Sequence, residues 1–223
     1  MVKNYLQKLF PDHLKNLFTE NYYIISFKEV IEECLFTTGW QEFCKERGVF
    51  QLPIKEFCDN LSIELYSLIA EYSLKGPFLE LGAGNGWLTR YLNKCGHRFI
   101  AIDSGMLYLR TAKKWQLPYY PVLLMDWEEA INTFRPQLVV ISWMPMGEDW
   151  SKLLRKTPSL KIYILIGEEL GGRCGDWDTF LLPLSENWQR RELTRSSSFS
   201  LSAADFGFSF LVKYSKTVAW IKI

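Results

Sequence analysis

Residues 77–92 read Pro-Phe-Leu-Glu-Leu-Gly-Ala-Gly-Asn-Gly-Trp-Leu-Thr-Arg-Tyr-Leu, and residues 98–103 read Arg-Phe-Ile-Ala-Ile-Asp. The short apolar run at 78–81 predicts a buried strand, and the pattern at 87–95 predicts a helix. Three glycines separate these two elements, at Gly82, Gly84 and Gly86. Because glycine has no side chain, a turn of this kind lets a ligand approach the main chain beside a helix N-terminus. The stretch therefore predicts a strand, a ligand-binding turn and a helix.

A second signal follows the predicted helix. The apolar run at 99–102 predicts another strand, which ends in Asp103. An acid at the carboxyl end of the second strand, roughly 20 residues past a glycine turn, is placed to accept hydrogen bonds from ribose hydroxyls. Both signals indicate a nucleoside-type cofactor. The alternative is an ordinary turn with structural glycines and a solvated aspartate.

The motif distinguishes between cofactor families. The dinucleotide fingerprint requires its third glycine where this chain has the bulky Trp87. The segment Glu80-Leu-Gly82-Ala-Gly84-Asn-Gly86 instead resembles the first motif of the class I S-adenosylmethionine-dependent methyltransferases. The resemblance implies S-adenosylmethionine as the cofactor. It also implies a set of cofactor-binding residues, namely Glu80, Gly82, Ala83, Gly84, Gly86, Asp103, Ser104, Asp126, Trp127 and Ser142.

From residue 77 onward, strand and helix patterns alternate, which is typical of a parallel sheet with helices on both faces. The fold expected from the family is a doubly wound, seven-stranded, mostly parallel sheet, closed by an antiparallel last strand between the fifth and sixth. Ser215-Lys216 is the expected turn before that strand, and the serine-rich stretch 196–202 is an expected exposed loop. We expect two units: a helical N-terminal extension at 1–76, lying over the carboxyl edge of the sheet, and a cofactor-binding domain at 77–223.

Composition narrows the function classes. The formal charge of +1 gives no strong electrostatic argument for nucleic acid or an anionic membrane, so we expect neither as a partner. The five cysteines include no C-x-x-C pair, and the two histidines are His13 and His97, so no metal site is expected. Without a signal peptide or a long apolar stretch, the chain reads as a cytoplasmic protein with reduced thiols.

The acceptor side of the site is expected in the loop after the fourth strand, at 143–150, which holds two tryptophans, two methionines and two acids. Trp143 and Pro145 are the substrate-binding candidates there, with Tyr23 and Trp40 from the N-terminal helices. Simple packing of these aromatic residues is the alternative. The candidate catalytic carboxylates are Glu148 and Glu168.

Several alternatives stay open. Asp126 either contacts adenine or caps the helix that follows it. Ser142-Trp143-Met144-Pro145 lacks the second proline and the terminal aromatic residue of the family's amino-methylating enzymes, and so does not support nucleobase or amide methylation. The predicted function is methyl transfer to a small molecule at N, O or C. A non-catalytic cofactor-binding module and an aminopropyltransferase-like enzyme are the rival functions.

Overall fold

A computed structural model describes residues 54–84, 86–105, 121–168, 174–176, 179–180, 187–197 and 215–223. Its helices are α1 (Ile54–Glu71), α2 (Trp87–Lys94), α3 (Trp127–Phe134), α4 (Ser151–Lys156) and α5 (Thr194–Ser197). Its strands are β1 (Phe78–Leu81), β2 (Phe99–Asp103), β3 (Val122–Leu124), β4 (Leu138–Ser142), β5 (Ile162–Glu168), β6 (Trp188–Glu192) and β7 (Ser215–Lys222). No helix in these ranges has both the length and the apolar character needed to cross a bilayer.

The seven strands form one sheet in the order β3-β2-β1-β4-β5-β7-β6. The first five run parallel, and β7 is antiparallel to both of its neighbours. The predicted doubly wound, mostly parallel sheet with an inserted last strand is therefore confirmed. The strand order reverses at β1, where β2 lies on one side and β4 on the other, and ligands of such sheets bind beyond the strand ends at this point.

Side chains alternate between two cores on opposite faces of the sheet. Leu79 and Leu81 of β1 pack with residues of α3 and α4, including Ile131 and Leu154. Phe78 packs on the other face, in a core to which α1 and α2 contribute. Helices on both faces bury a sheet whose strands are apolar on both sides, as expected for parallel strands.

Helix α1 packs on a face of the sheet. Cys58, Leu61, Leu65 and Leu68 recur at helical spacing, are at most 1% exposed, and join the core that contains Phe78. The end of the predicted N-terminal extension therefore covers a sheet face, which corrects the expectation that it lies over the carboxyl edge. Residues 1–53 lie outside the described residues, and so the division at residue 76 stays a prediction.

The turn predicted at Ser215-Lys216 is wrong, and the exposed loop predicted at 196–202 is wrong at Ser196. Ser215 and Lys216 belong to β7, where they pair in register with Glu168 and Gly167. The ladder continues through these polar residues because backbone pairing does not depend on side-chain polarity, and Lys216 also forms an ion pair with Glu192 at 2.9 Å. The predicted turn is therefore part of the last strand.

Ser196, expected in an exposed loop, is fully buried in α5. Its hydroxyl and its backbone N–H both donate to the Glu64 carboxylate, at 2.5 and 3.0 Å. The partner lies on α1, 132 residues earlier in the chain, so no local pattern could reveal this contact. Residues 198–202 of the predicted loop lie outside the described residues.

Candidate functional site

The glycine turn joins β1 to α2 as predicted. Gly82, Gly84 and Gly86 have φ values of 67°, 55° and 75°, in the left-handed region that favours glycine. Gly86 is the N-cap of α2, and it caps the helix without a side-chain hydrogen bond. A turn with no side chain at these three positions lets a ligand approach the main chain beside the N-terminus of α2.

Glu80 supports this turn from behind. It is 3% exposed, and its Oε2 accepts hydrogen bonds from both the backbone N–H and the hydroxyl of Thr89 in the first turn of α2. Burial raises the pKa of the Glu80 carboxyl to about 7, the Thr89 hydrogen bonds oppose this rise, and the charge of Asp103 adds to it. Glu80 thus connects β1 to α2 across the glycine turn.

Asp103 faces the turn from the end of β2. One carboxylate oxygen accepts a hydrogen bond from the Gly84 backbone N–H at 2.8 Å, and the other accepts one from the Gly105 backbone N–H at 2.8 Å. A carboxylate offers about four acceptor positions, and these two hydrogen bonds use two of them. Asp103 is therefore oriented toward the turn and can still accept hydrogen bonds from ribose hydroxyls.

A cleft of about 740 Å³ opens beside the turn, at the carboxyl ends of β1, β2, β3 and β4. The predicted cofactor residues that line it are Gly82, Gly84, Asp103, Ser104, Asp126, Trp127 and Ser142. The predicted acceptor-side residues that line it are Trp143, Pro145 and Glu148. Signals separated by up to 66 positions in sequence thus meet in one cavity, which is of the size usual for small-molecule sites, about 300–1,000 Å³.

Four predicted residues do not line the cleft, namely Glu80, Ala83, Gly86 and Glu168. Ala83 donates its backbone N–H to Ile102 at 2.9 Å and so joins the turn to β2. Glu168 is 2% exposed and is the last residue of β5. Tyr23 and Trp40 lie outside the described residues, and their proposed contacts with substrate stay predictions.

Asp126 is placed for both of the roles that the sequence left open, capping the helix and contacting a ligand in the cleft. Its carboxylate accepts a 2.8 Å hydrogen bond from the Glu128 backbone N–H, which makes it the N-cap of α3. It is also exposed and lines the cleft. Capping uses one oxygen, so the two roles that the sequence left as alternatives are compatible.

The loop after β4 reaches the cleft in a fixed conformation. Trp143 is 40% exposed and has a φ of 56°, which is unusual for a bulky residue, and its backbone N–H donates to Ile166 at 2.8 Å. Gly147 and Gly175 connect this loop to the one after β5, through hydrogen bonds from Gly147 N–H to Gly175 and from Gly175 N–H to Met144. The loop after β5 therefore supports the acceptor-side loop.

Trp150 is the principal cleft residue missing from the predicted set. It stacks on Trp127, with ring centroids 5.2 Å apart and planes inclined by 16°. Its indole Nε1 donates to Glu148. The signal available in the sequence was the pair of tryptophans in one loop, but it does not say which of the two faces the glycine turn.

The cleft is acidic and aromatic. Its described lining includes the carboxylates of Asp103, Asp126 and Glu148 and no Lys, Arg or His side chain. Within the described ranges, no group of three or more His, Cys, Asp or Glu side chains could hold a metal ion. This lining favours a ligand with a positive charge or an aromatic ring.

No protein-family model matches the sequence, and no curated protein matches it. Among solved structures, the chain is similar to a putative tRNA (m1A22) methyltransferase, Sp1610 of Streptococcus pneumoniae, with 14% identity over 70% of this chain and 68% of that chain, at a TM-score of 0.36. It is also similar to the 23S rRNA methyltransferase ErmE, with 15% identity over 66% of this chain and 61% of that chain, at a TM-score of 0.34. A third similar structure is the plantazolicin methyltransferase BpumL, in complex with a triazolic desmethylPZN analogue and S-adenosylhomocysteine (SAH), with 13% identity over 96% of this chain and 99% of that chain, at a TM-score of 0.43.

The sheet order agrees with the doubly wound, seven-stranded fold predicted from the sequence, and the three similar structures are all named as methyltransferases. They also show that the exclusion of nucleic acid was wrong, because two of the similar structures are named as tRNA and rRNA methyltransferases. The exclusion rested on the net charge of the whole chain, whereas nucleic-acid binding depends on how charge is distributed locally.

Proposed function

We propose that this chain, which has the class I methyltransferase fold, is an S-adenosylmethionine-dependent methyltransferase with its cofactor in the cleft beside the glycine turn. The observation that supports this most directly is the hydrogen bond between the Gly84 backbone N–H and the Asp103 carboxylate. It places the predicted ribose-binding acid against the predicted cofactor turn, on the rim of a cavity large enough for a nucleoside.

The residues of the cleft fit this cofactor. A Cβ added to Gly84 would meet no atom within 4 Å, and Gly84 lines the cleft, so the side chain that glycine lacks would project into open space there. Asp103 would accept hydrogen bonds from the ribose hydroxyls. Asp126 and Trp127 would contact adenine, through a carboxylate oxygen and an aromatic ring.

When bound, S-adenosylmethionine supplies a methyl group on a positively charged sulfur, which transfers to the lone pair of an acceptor atom. The contribution of the chain is alignment, because displacement requires the reacting atoms to be held in line. Trp143 and Pro145 form the wall against which an acceptor would be oriented.

Glu148 is the proposed general base. It is exposed and lines the cleft on the acceptor side, so it can receive the proton that a hydroxyl or ammonium acceptor must lose. Glu168 is buried in β5 and does not line the cleft. Of the two predicted catalytic carboxylates, Glu148 therefore has the access that proton transfer requires.

We take a small molecule as the acceptor, because the acceptor-side residues line the same cavity as the cofactor residues, within a total volume of about 740 Å³. The absence of basic side chains from the described lining favours an acceptor that is basic or aromatic. The substitution of Ser142-Trp143-Met144-Pro145 for the motif of amino-methylating enzymes leaves the acceptor atom to be determined by experiment.

Isothermal titration calorimetry with S-adenosylmethionine and SAH tests the cofactor. We expect micromolar dissociation constants, and the absence of binding to the wild-type protein would refute the proposal. Mass spectrometry then tests transfer, after incubation of the protein with methyl-labelled cofactor and either a metabolite fraction or an RNA fraction. Label in a small molecule supports the proposed acceptor, and label only in RNA replaces it. Cofactor binding without labelled product in either fraction indicates the non-catalytic module.

A further inference from the structure

We infer that Trp150 is a positioning residue of the cofactor site, and that the Glu148–Trp150 hydrogen bond holds the acceptor-side loop against the glycine turn. This inference rests on the proposed function. It assigns a role to Trp150, which was not among the predicted site residues. Through this one side chain it links the cofactor side of the cleft to the acceptor side.

The Trp150 ring lies directly against the glycine turn. A Cβ added to Gly82 would lie 3.2 Å from Cη2 and 3.4 Å from Cζ3 of this ring, which is tighter than ordinary van der Waals contact. Gly82 is therefore required for two reasons, its φ of 67° and the position of the Trp150 ring. A side chain at residue 82 would have to displace the indole.

The same ring is stacked on Trp127, the residue proposed to contact adenine, at a centroid separation of 5.2 Å. Near-parallel stacking over this distance restricts the tilt of both rings. Trp150 therefore determines the orientation that the Trp127 ring presents to the cleft.

Two contacts hold Trp150 in place from its own loop. Its indole Nε1 donates to Glu148, and its backbone N–H lies 3.5 Å from the sulfur of Met144. Glu148, Met144 and Trp150 all line the cleft, so the loop that contacts the acceptor also sets the position of the indole. Trp150 immediately precedes α4, and Trp127 is the first residue of α3. Their stacked rings therefore join the starts of these two helices beside the glycine turn.

This arrangement has an energetic consequence. If the acceptor-side loop orients Trp150, and Trp150 orients Trp127 and packs on Gly82, then a change at Glu148 alters cofactor affinity without contacting the cofactor. Coupling between two sites is reciprocal for binding free energies. Any effect of acceptor binding on cofactor affinity would therefore be matched by an equal effect of cofactor binding on acceptor affinity.

A purely structural role for Trp150 predicts something different. Trp150 is 9% exposed and belongs to the core that includes Leu154, so its removal lowers stability in either case. Only the positioning role links the Trp127–Trp150 stack and the Glu148 contact to cofactor affinity. Cofactor affinity and the circular dichroism couplet of the stacked indoles are therefore the informative measurements.

The test uses the full chain and the variants Trp150→Leu, Trp150→Phe, Glu148→Ala and Glu148→Gln, with Trp188→Phe as the matched control. Trp188 is also buried and paired with an aromatic ring, that of Tyr163 at 5.3 Å, but it does not line the cleft. SAH affinity is measured by calorimetry, and stability by the midpoint of urea unfolding. Stacking of the Trp127 and Trp150 rings is measured by their circular dichroism couplet.

We expect Trp150→Leu to weaken SAH binding about tenfold and to remove the couplet. Glu148→Ala weakens binding about threefold and reduces the couplet, since the indole N–H has lost its acceptor. Glu148→Gln restores both, because its amide oxygen still accepts the hydrogen bond, while methyl transfer stays low for want of a base. Trp188→Phe keeps the affinity and the couplet of the wild type.

Unchanged SAH affinity in Trp150→Leu and Glu148→Ala, with binding by the wild type, overturns this inference and leaves the proposed function intact. Loss of affinity that Glu148→Gln fails to restore also overturns it. If Trp150→Leu does not fold, as judged by its urea transition, Trp150→Phe and Glu148→Ala decide the question by the same two readouts. A wild-type protein that binds no SAH refutes both proposals together.

Discussion

The Asp103 carboxylate and the Gly84 backbone N–H are joined by a 2.8 Å hydrogen bond between the end of β2 and the turn after β1. The two strands are parallel neighbours, and their register pairs Leu81 with Ile102, which brings the residues just beyond each strand end side by side. An Asp103 side chain facing away from the turn would have contradicted the proposed cofactor site. The observed contact makes this pair the centre of the proposed site.

Asp103→Asn is expected to weaken SAH binding by roughly tenfold to a hundredfold, because hydrogen bonds to a charged group contribute about 1.5–3 kcal/mol. The amide can accept from one backbone N–H, but its NH₂ group faces the other N–H. Isothermal titration calorimetry measures this loss of SAH affinity. Glu129→Gln, an exposed carboxylate on α3 outside the cleft, is the control, and equal affinities in the two variants would exclude Asp103 from the site.

Gly84→Ala and Gly147→Ala form a matched pair. Both glycines have positive φ, 55° and 84°, and a Cβ at either would meet no atom within 4 Å. Each alanine should cost about 1–2 kcal/mol of stability from its left-handed backbone, as measured by urea unfolding. Only Gly84 of the two lines the cleft, so Gly84→Ala should weaken SAH binding more than Gly147→Ala, which acts on the cofactor site only through the acceptor-side loop. Equal effects of the two variants on affinity would place the cofactor elsewhere.

The raised pKa of Glu80 predicts how the stability of the fold depends on pH. Its pKa in the folded protein is about 7, above the value of about 4.3 for a free glutamate, so the folded protein holds this proton more tightly than the unfolded chain. The resulting stability is complete below the unfolded pKa and is lost as pH rises through the folded pKa.

Glu80→Gln removes the titration while keeping an acceptor for Thr89. Urea unfolding of both proteins should show the wild type losing stability relative to the variant between about pH 5 and about pH 8. Comparison with the variant cancels the contribution of other groups. A stability difference that stays constant over this range would contradict the raised pKa.

Leu65 and Ile63 test whether α1 is part of the fold. Leu65 is fully buried and Ile63 is 47% exposed on the same helix. Leu65→Ala should cost about 2–5 kcal/mol of the free energy of unfolding, and Ile63→Ala should change it by about 0.5 kcal/mol or less. Similar values for the two in urea unfolding would mean that α1 does not pack on the sheet.

The parts of the fold that could be predicted are those encoded by neighbouring residues. The segment from Phe78 to Asp103 combines an apolar run, three glycines, a helical pattern and a second apolar run, and each of these has its meaning within one element. The carboxyl ends of parallel strands lie at one edge of the sheet, so the same pattern also predicted that Asp103 and Gly84 would meet.

The parts that could not be predicted depend on partners distant in sequence. Ser196 reads as a loop residue until the Glu64 carboxylate is placed beside it, and Glu168 reads as a catalytic acid until it is paired with Ser215 of β7 within the sheet. Polar residues at element ends are ambiguous because their burial depends on whether a hydrogen-bond partner is supplied from elsewhere.

In the amino-acid sequence alone, the alternation of strand and helix patterns and the backbone freedom of glycine determined the parallel sheet, the glycine turn and the acid that faces it. The strand order with its inserted antiparallel last strand followed from the resemblance to the methyltransferase family. Only the tertiary structure decided which residues share the cleft. It selected Glu148 over Glu168 by access, and it brought Trp150 onto Gly82 and Trp127. The physical reason is that side-chain packing between separate elements depends on their positions in three dimensions, about which the spacing of residues along the chain carries no information.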